Sequence, residues 1–323
     1  MKRGFWDKLE RPILALAPMM DVTDSAFRQI VSQCSNPSVM WTEFVSTSGL
    51  CSIGEEFLVK RFLLFKKQER PLVAQLFGNE PKDFLRAAKI VCKLKFDGID
   101  INMGCPEKRI VKQESGAALL RNPELARDII LATKEGAGDL PVSIKIRLGY
   151  TKIDWQSWLG VLLEAKPAVI SVHGRTQKEM SKVPTHWDEI GKIVEFVKKQ
   201  TKEAERPFII GNGDVQTTAE AMEKAKQYNL DGIMIGRAVI GNPWFFDDTK
   251  TIDQIPLSEK LKTLLLHTKV FEKTFPSRNF SVIKKHYHAY ITGFVGAKKL
   301  RADLMACDDS KSVKKVISQF IGR

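Results

Sequence analysis

The chain has 323 residues, enough for a large barrel and a smaller unit. Its 43% hydrophobic and 28% charged residues fit a soluble globular protein, and no apolar run approaches the ~20 residues of a membrane span. The net charge of +13 favours a polyanionic partner, nucleic acid or an anionic membrane surface, over a merely solvated basic surface.

The N-terminus, Met1-Lys2-Arg3-Gly4-Phe5-Trp6-Asp7, turns acidic too soon for a signal peptide. Cys34, Cys51, Cys92, Cys105 and Cys307 lie far apart with no CxxC pair, which argues against a disulfide framework or a zinc site. A reducing cytoplasm and no metal are therefore expected. Apolar, β-branched-rich runs at 13–17, 39–43, 72–76, 98–102, 142–146, 168–172, 207–210 and 232–235 predict eight strands. Helical patterns at 81–94, 123–134, 187–199 and 217–228 fall between them. Asn122-Pro123 and Thr217-Thr218-Ala219-Glu220 read as helix starts. Eight βα repeats predict an α/β fold of the (β/α)8 TIM-barrel type, with a doubly wound open sheet as the rival.

The strand rhythm stops after Asn242-Pro243. Helices are predicted at 257–275, 281–294, 297–305 and 311–320, a small C-terminal all-helical unit. Segment 252–323 holds 14 Lys/Arg against 6 Asp/Glu, so +8 of the +13 sits there. The cluster Lys284-Lys285-His286-Tyr287-His288 suits RNA contact through phosphate pairing and base stacking. The same pattern also fits a solvated helix face with Tyr287 and Tyr290 in a core.

In a barrel of this type the C-terminal strand ends form the active site. In order, those ends carry Pro18-Met19-Met20, Gln75, Asn102 and Cys105, Lys145, His173-Gly174-Arg175, Asn212-Gly213-Asp214 and Gly236-Arg237. Cys105, between Gly104 and Pro106, is held at a strand mouth by a turn that Gly104 bends and Pro106 stiffens. The Gly-flanked turns after the last two strands suit a phosphate, with Arg237 adding a charged contact. Lys145 interrupts an apolar strand and needs an anion. A reduced flavin would serve, and so would a barrel carboxylate such as Asp100 or Glu43.

The ordered motifs over residues 13–245 resemble the tRNA-dihydrouridine synthases. They are Ala17-Pro18-Met19-Met20-Asp21-Val22-Thr23-Asp24-Ser25-Ala26-Phe27-Arg28, Gln75-Leu76-Phe77-Gly78, Asp100-Ile101-Asn102-Met103-Gly104-Cys105-Pro106, Ser115-Gly116-Ala117-Ala118-Leu119-Leu120, Lys145-Ile146-Arg147-Leu148-Gly149, His173-Gly174-Arg175-Thr176, Asn212-Gly213-Asp214 and Gly236-Arg237-Ala238. The tail resembles that of the bacterial B-type branch.

The resemblance implies an FMN-binding catalytic barrel over residues 1–248 and a tRNA-binding domain over 249–323. It implies tRNA as partner, with no membrane and no protein partner indicated, and NADPH or NADH as reductant. The implied reaction reduces the C5–C6 bond of a tRNA uridine, with hydride from FMN N5 reaching C6 and a proton from Cys105 reaching C5. By position, Pro18, Met19 and Met20 would pack on the flavin ring, and Gln75, Lys145 and His173 would meet its polar edges. Asn212, Gly213, Asp214, Gly236 and Arg237 would hold its ribityl chain and phosphate. Asn102 would orient the uracil, and Arg175, Lys284 and Lys285 would lie on the substrate side. A donor thiol must stay protonated, unlike a nucleophilic one. The segment Met180-Ser181-Lys182-Val183-Pro184 departs from the family pattern and is expected to border the RNA.

Overall fold

The computed structural model describes residues 3–322; residues 1, 2 and 323 of the expected N-terminal and tail segments lie outside it. Among the described residues nine parallel strands are wound in chain order. They are β1 (Ile13–Leu16), β2 (Val39–Trp41), β3 (Val45–Ser46), β4 (Leu72–Phe77), β5 (Gly98–Met103), β6 (Val142–Arg147), β7 (Val169–His173), β8 (Phe208–Asn212) and β9 (Gly232–Ile235). The sheet closes where Ile13 of β1 stands beside Gly232 of β9 and Met40 of β2 beside Leu72 of β4. The result is a (β/α)8 barrel followed by helices, as predicted. β2 and β3 are two pieces of the second stave, both pairing with β4. The predicted strand 39–43 is cut at Thr42 because Glu43 leaves the ladder. Its fully buried carboxylate accepts from the Asp21 N–H at 2.5 Å and from Arg61 at 2.7 Å.

The helices Pro81–Lys93, Pro123–Ala137, Trp187–Gln200 and Thr218–Gln227 pack their apolar faces on the strands' outer surface. Asn122 and Thr217 cap two of them through side-chain oxygens, as the sequence indicates. A short 3-10 helix, Gly4–Lys8, places Trp6 against Trp41 and closes the N-terminal end of the barrel. That end is sealed, so access is from the C-terminal strand mouths.

The tail consists of helices Leu257–Thr274, Ser281–Tyr290, Ala297–Met305 and Ser310–Ile321. They share a core that includes Leu264, Phe271, Tyr287, Tyr290, Leu300 and Val313, and Ala26 of the barrel joins it. Tyr287 and Tyr290 are buried in this core, so their rings are not offered for base stacking. The predicted helix 281–294 ends at Tyr290, where Arg301 takes the Ile291 carbonyl at 2.6 Å and Gly293 adopts φ +79°. The tail also seats on the chain after β9. Gly241, at φ +79°, lies so close to Ala289 that a Cβ there would stand 2.6 Å from its carbonyl. Among the described residues no helix is long and apolar enough to cross a membrane.

Candidate active site

Strand register brings the singled-out residues into one ring. Asn102 stands beside Lys145, Arg147 beside His173, and His173 beside Asn212. Because strand side chains alternate, these groups face inward at the open end. They line a cavity of 330 Å³ together with Pro18, Met19, Gln75, Cys105, Gly213, Asp214, Gly236 and Arg237. Met20 is set apart from this wall and packs with Phe44, Phe77 and Ile110 beside Cys105.

The turn that carries Cys105 is fixed from several sides. The Asn102 side-chain oxygen accepts from the N–H groups of Gly104 (3.1 Å) and Cys105 (2.9 Å). Arg147 Nε donates to the Gly104 carbonyl at 2.6 Å, and Gln177 reaches the Pro106 carbonyl. Gly116 backs the turn at φ +63°; a Cβ there would stand 2.9 Å from the Cys105 carbonyl oxygen. Gly104 itself is not in the positive-φ region. Its use is its small size, since a Cβ there would stand 3.3 Å from the Lys145 carbonyl oxygen, while the Asn102 side chain fixes the bend. Burial pushes the Cys105 thiol up, and neither a hydrogen bond from the Glu107 backbone nor the cations Arg147 and Lys145 overcome it. The thiol is accordingly protonated at neutral pH.

Lys145 Nζ donates to Asn212 Oδ1 at 3.1 Å, while Asn212 Nδ2 donates to the Met234 carbonyl. Neither Asp100 nor Glu43 hydrogen-bonds to Lys145. Asp100 accepts from Gln75 Nε2 (2.7 Å) and Ser143 (2.6 Å), and Gln75 Oε1 accepts from Asn102. Burial, with Arg147 nearby, pushes the Lys145 ammonium down to about 8. Burial and four surrounding cations hold His173 well below the ordinary histidine range, so its ring is neutral. Its Nε2 faces Arg175 Nη1 at 3.3 Å, which leaves the proton on Nδ1.

Arg175 departs from its expected substrate contact. It is 2% exposed; Nε donates to the Val183 carbonyl, Nη1 faces His173, and Nη2 is paired with Asp214. Burial opposes ionisation of Asp214, but the Arg175 contact outweighs it and holds the carboxyl below its usual range. Arg237 also bonds Asp214, at 2.5 Å, yet most of its guanidinium stays exposed at the cavity. Lys284 departs as well. Its Nζ is spent on the Met305 carbonyl (2.9 Å) and Asp308 inside the tail, whereas Lys285 is exposed.

Arg147 stands at the end of the fifth predicted strand, and the sequence assigns it no role. Besides Gly104 it donates to the carbonyls of Thr176 and Met180, joining the cysteine turn to the 177–185 loop. Its place two residues after Lys145 on one strand, hence on the same face, was the available signal. Met180 and Ser181 of that loop line the cavity too. Among the described residues no cluster of metal-ligating groups is present.

Asp100 allows a pH test. Burial raises its carboxyl from 3.8 to about 6. A raised native value stabilises the fold fully below the unfolded value, and this contribution is lost as pH rises through the native one. Asp100→Asn, which keeps an acceptor for Gln75, is expected to remove this loss, about 3 kcal/mol between pH ~4 and ~6. Urea denaturation across that range measures it; a pH dependence identical to that of the parent protein contradicts it.

The cavity wall combines an apolar plate (Ala17, Pro18, Met19), a polar rim (Gln75, Lys145, His173, Asn212) and an anion-receptive end. At that end the N–H groups of Gly213 and Gly236 have no hydrogen-bond partner among the described residues. This donor set fits a phosphorylated planar heterocycle such as a flavin mononucleotide.

A family model described as Dihydrouridine synthase (Dus) matches residues 15–322. A "Probable tRNA-dihydrouridine synthase" of Staphylococcus aureus (strain MRSA252) is 38% identical over 324 residues, covering 99% of this chain and 96% of that protein. A "Probable tRNA-dihydrouridine synthase 2" of Bacillus subtilis (strain 168) is 36% identical, covering 99% and 97%. Among solved structures, morphinone reductase aligns at a TM-score of 0.52 and 12% identity, covering 76% of this chain and 87% of that one. Histamine dehydrogenase from Rhizobium sp. 4-9 also gives 0.52, at 13% identity, covering 84% and 51%. At those identities the structural likeness is one of fold alone. The full-length sequence match is different in kind: by it, this chain belongs to the dihydrouridine synthase family.

Proposed function

We propose that this enzyme reduces the C5–C6 bond of a uridine in tRNA, with FMN as cofactor, NADPH (or NADH) as reductant and Cys105 as proton donor. The observation that carries the reading is a thiol kept protonated by burial, fixed in a rigid turn and facing a cavity whose donors fit a flavin. When bound, FMN would accept hydride from NADPH and supply it to uracil C6. The chain's residues do the rest. Pro18 and Met19 bound the ring on one side; Gln75, Lys145, His173 and Asn212 meet its polar edges. Gly213, Gly236 and Arg237 receive the phosphate, and Asp214 orients Arg237. Arg147 and Asn102 aim Cys105 Sγ, which gives its proton to C5 as the charge left by hydride addition develops there. Asn102, which lines the same cavity, is the residue we assign to orienting the uracil.

The catalytic barrel (1–248) and tRNA-binding tail (249–323), with its B-type character, belong to the same reading, as does a cytoplasmic setting for the five free cysteines. A uridine must leave its stack to reach this cavity, which requires RNA contact beyond the mouth. Lys285, exposed near Asp21 and Asp24, is the residue we assign to a phosphate. Lys285→Glu is expected to weaken tRNA binding and lower the slope of log affinity against log salt by about 1. Filter binding over a salt series measures this, and an unchanged slope refutes the contact. NADPH oxidation on unmodified tRNA against free pyrimidines tests the whole reading. Turnover on free pyrimidines alone, or a purified protein that is colourless and takes up no FMN, would sink it.

A further inference from the structure

The loop after β1, which carries Pro18 and Met19 to the cavity, is tied from behind to the tail. Arg278 lies in the turn between helices Leu257–Thr274 and Ser281–Tyr290. Its guanidinium stands 5.4 Å from the ring centroids of both Phe271 and Phe275 and is 12% exposed, so the tail core sets its direction. Nη1 donates to Asp24 Oδ2 at 2.8 Å, and Nη2 reaches Asp21 Oδ1 at 3.5 Å.

Both acceptors are structural members of the loop. Asp24 caps helix Ser25–Cys34 by accepting from the Phe27 N–H at 3.0 Å. Asp21 donates its N–H to Glu43 and shares its carboxylate with Arg61 at 3.1 Å. Within the loop, Thr23 Oγ1 accepts from the Met19 N–H at 3.0 Å. A shift of Asp24 is therefore passed through its neighbour Thr23 to Met19. Arg61, Arg278 and Lys285 meet Asp21, Asp24 and Glu43 here, three cations against three carboxylates. Within it Arg61 and Arg278 are committed to the carboxylates by ion pairs, which makes them a clasp, whereas Lys285 forms no such pair and is exposed.

We propose that Arg278 is a positioning residue for the cofactor-lining loop. Through Arg278–Asp24 the tail holds Pro18 and Met19 in place, so the helical unit helps to build the cofactor site as well as meeting RNA. The inference rests on the flavin reading for its ligand. The test uses the full-length apoprotein titrated with FMN by fluorescence quenching, in R278M, R278K, D24N and the double variant R278M/D24N. D24N keeps the capping oxygen and loses the charge. R278M and D24N are each expected to weaken FMN binding about tenfold. The double variant should be no worse than either single one, and R278K should recover most of the loss.

Hydrogen exchange over residues 18–24 in the apoprotein, which needs no cofactor, should quicken in R278M. FMN affinity equal to the parent protein's, losses that add in the double variant, or a lowered Tm with unchanged exchange at 18–24 would each overturn the proposal. Failure of the parent protein to bind FMN would overturn the flavin reading instead, and exchange would still decide the clasp.

Discussion

Cys105→Ala is expected to bind FMN as the parent protein does, to accept electrons from NADPH at an unchanged rate, and to reduce tRNA uridine about 10²–10⁴-fold more slowly, the usual worth of a general acid. The separation follows from how the turn is held. The bonds that shape it run from backbone groups of residues 104–106 to Asn102, Arg147, Gln177 and the Ala117 N–H, and the sulfur's one contact, with the Glu107 backbone, lies within the turn itself. Truncation at Cβ thus leaves the turn and the opposite cavity wall in place. Because burial raises the thiol's pKa, the parent activity should persist to higher pH than an ordinary thiol near ~8.5 would allow. Stopped-flow flavin reduction and a uridine-reduction assay on the same preparation check both halves. Loss of FMN from the variant would assign Cys105 a structural role.

Arg28→Met is expected to cost about 3–5 kcal/mol of stability, the usual effect of stranding one partner of a buried ion pair. Arg28 and Glu69 are fully buried and 2.8 Å apart. Arg28 also donates to the carbonyls of Thr23 (2.6 Å) and Leu64 (3.0 Å), so methionine would orphan two acceptors and leave the buried carboxylate without its cation. Glu69 would keep only Ser25 Oγ and the Lys66 N–H as donors. Burial already raises its carboxyl, and without the guanidinium it should take up a proton. The double variant Arg28→Met/Glu69→Leu should recover a good part of the loss. Urea denaturation of the three proteins decides it; a loss under about 1 kcal/mol in the single variant would mean that water or relaxation reaches the site.

Much of the barrel was legible because its staves are β-branched runs spaced by amphipathic helices, and strand mouths are where such folds keep their chemistry. Hence Gln75, Asn102, Cys105, Lys145, His173 and Arg237 meet in one cavity. What was not legible depends on where long side chains end. Arg175 and Lys284 read as free cations in one dimension, but each is consumed by partners within its own unit, Asp214 and Val183 for one, Met305 and Asp308 for the other. The break in the second stave needed Arg61, 18 residues from Glu43, and nothing local announces that pair. Arg278, between Ser277 and Asn279, carries no periodicity at all; its meaning appears only when the tail is folded against the loop 254 residues earlier. The tail tyrosines show the same limit: alternation with lysine left both faces open, and packing chose the core.

The most direct measurement is made on the product. The FMN-loaded protein is incubated with NADPH and unmodified tRNA, the RNA is digested to nucleosides, and dihydrouridine is assayed by mass spectrometry. The account predicts dihydrouridine at a defined tRNA position with the parent protein, and a trace at most with Cys105→Ala under the same conditions. A yellow, NADPH-reducible protein that forms no dihydrouridine in tRNA, or a Cys105→Ala variant that forms it at the parent rate, would contradict the account.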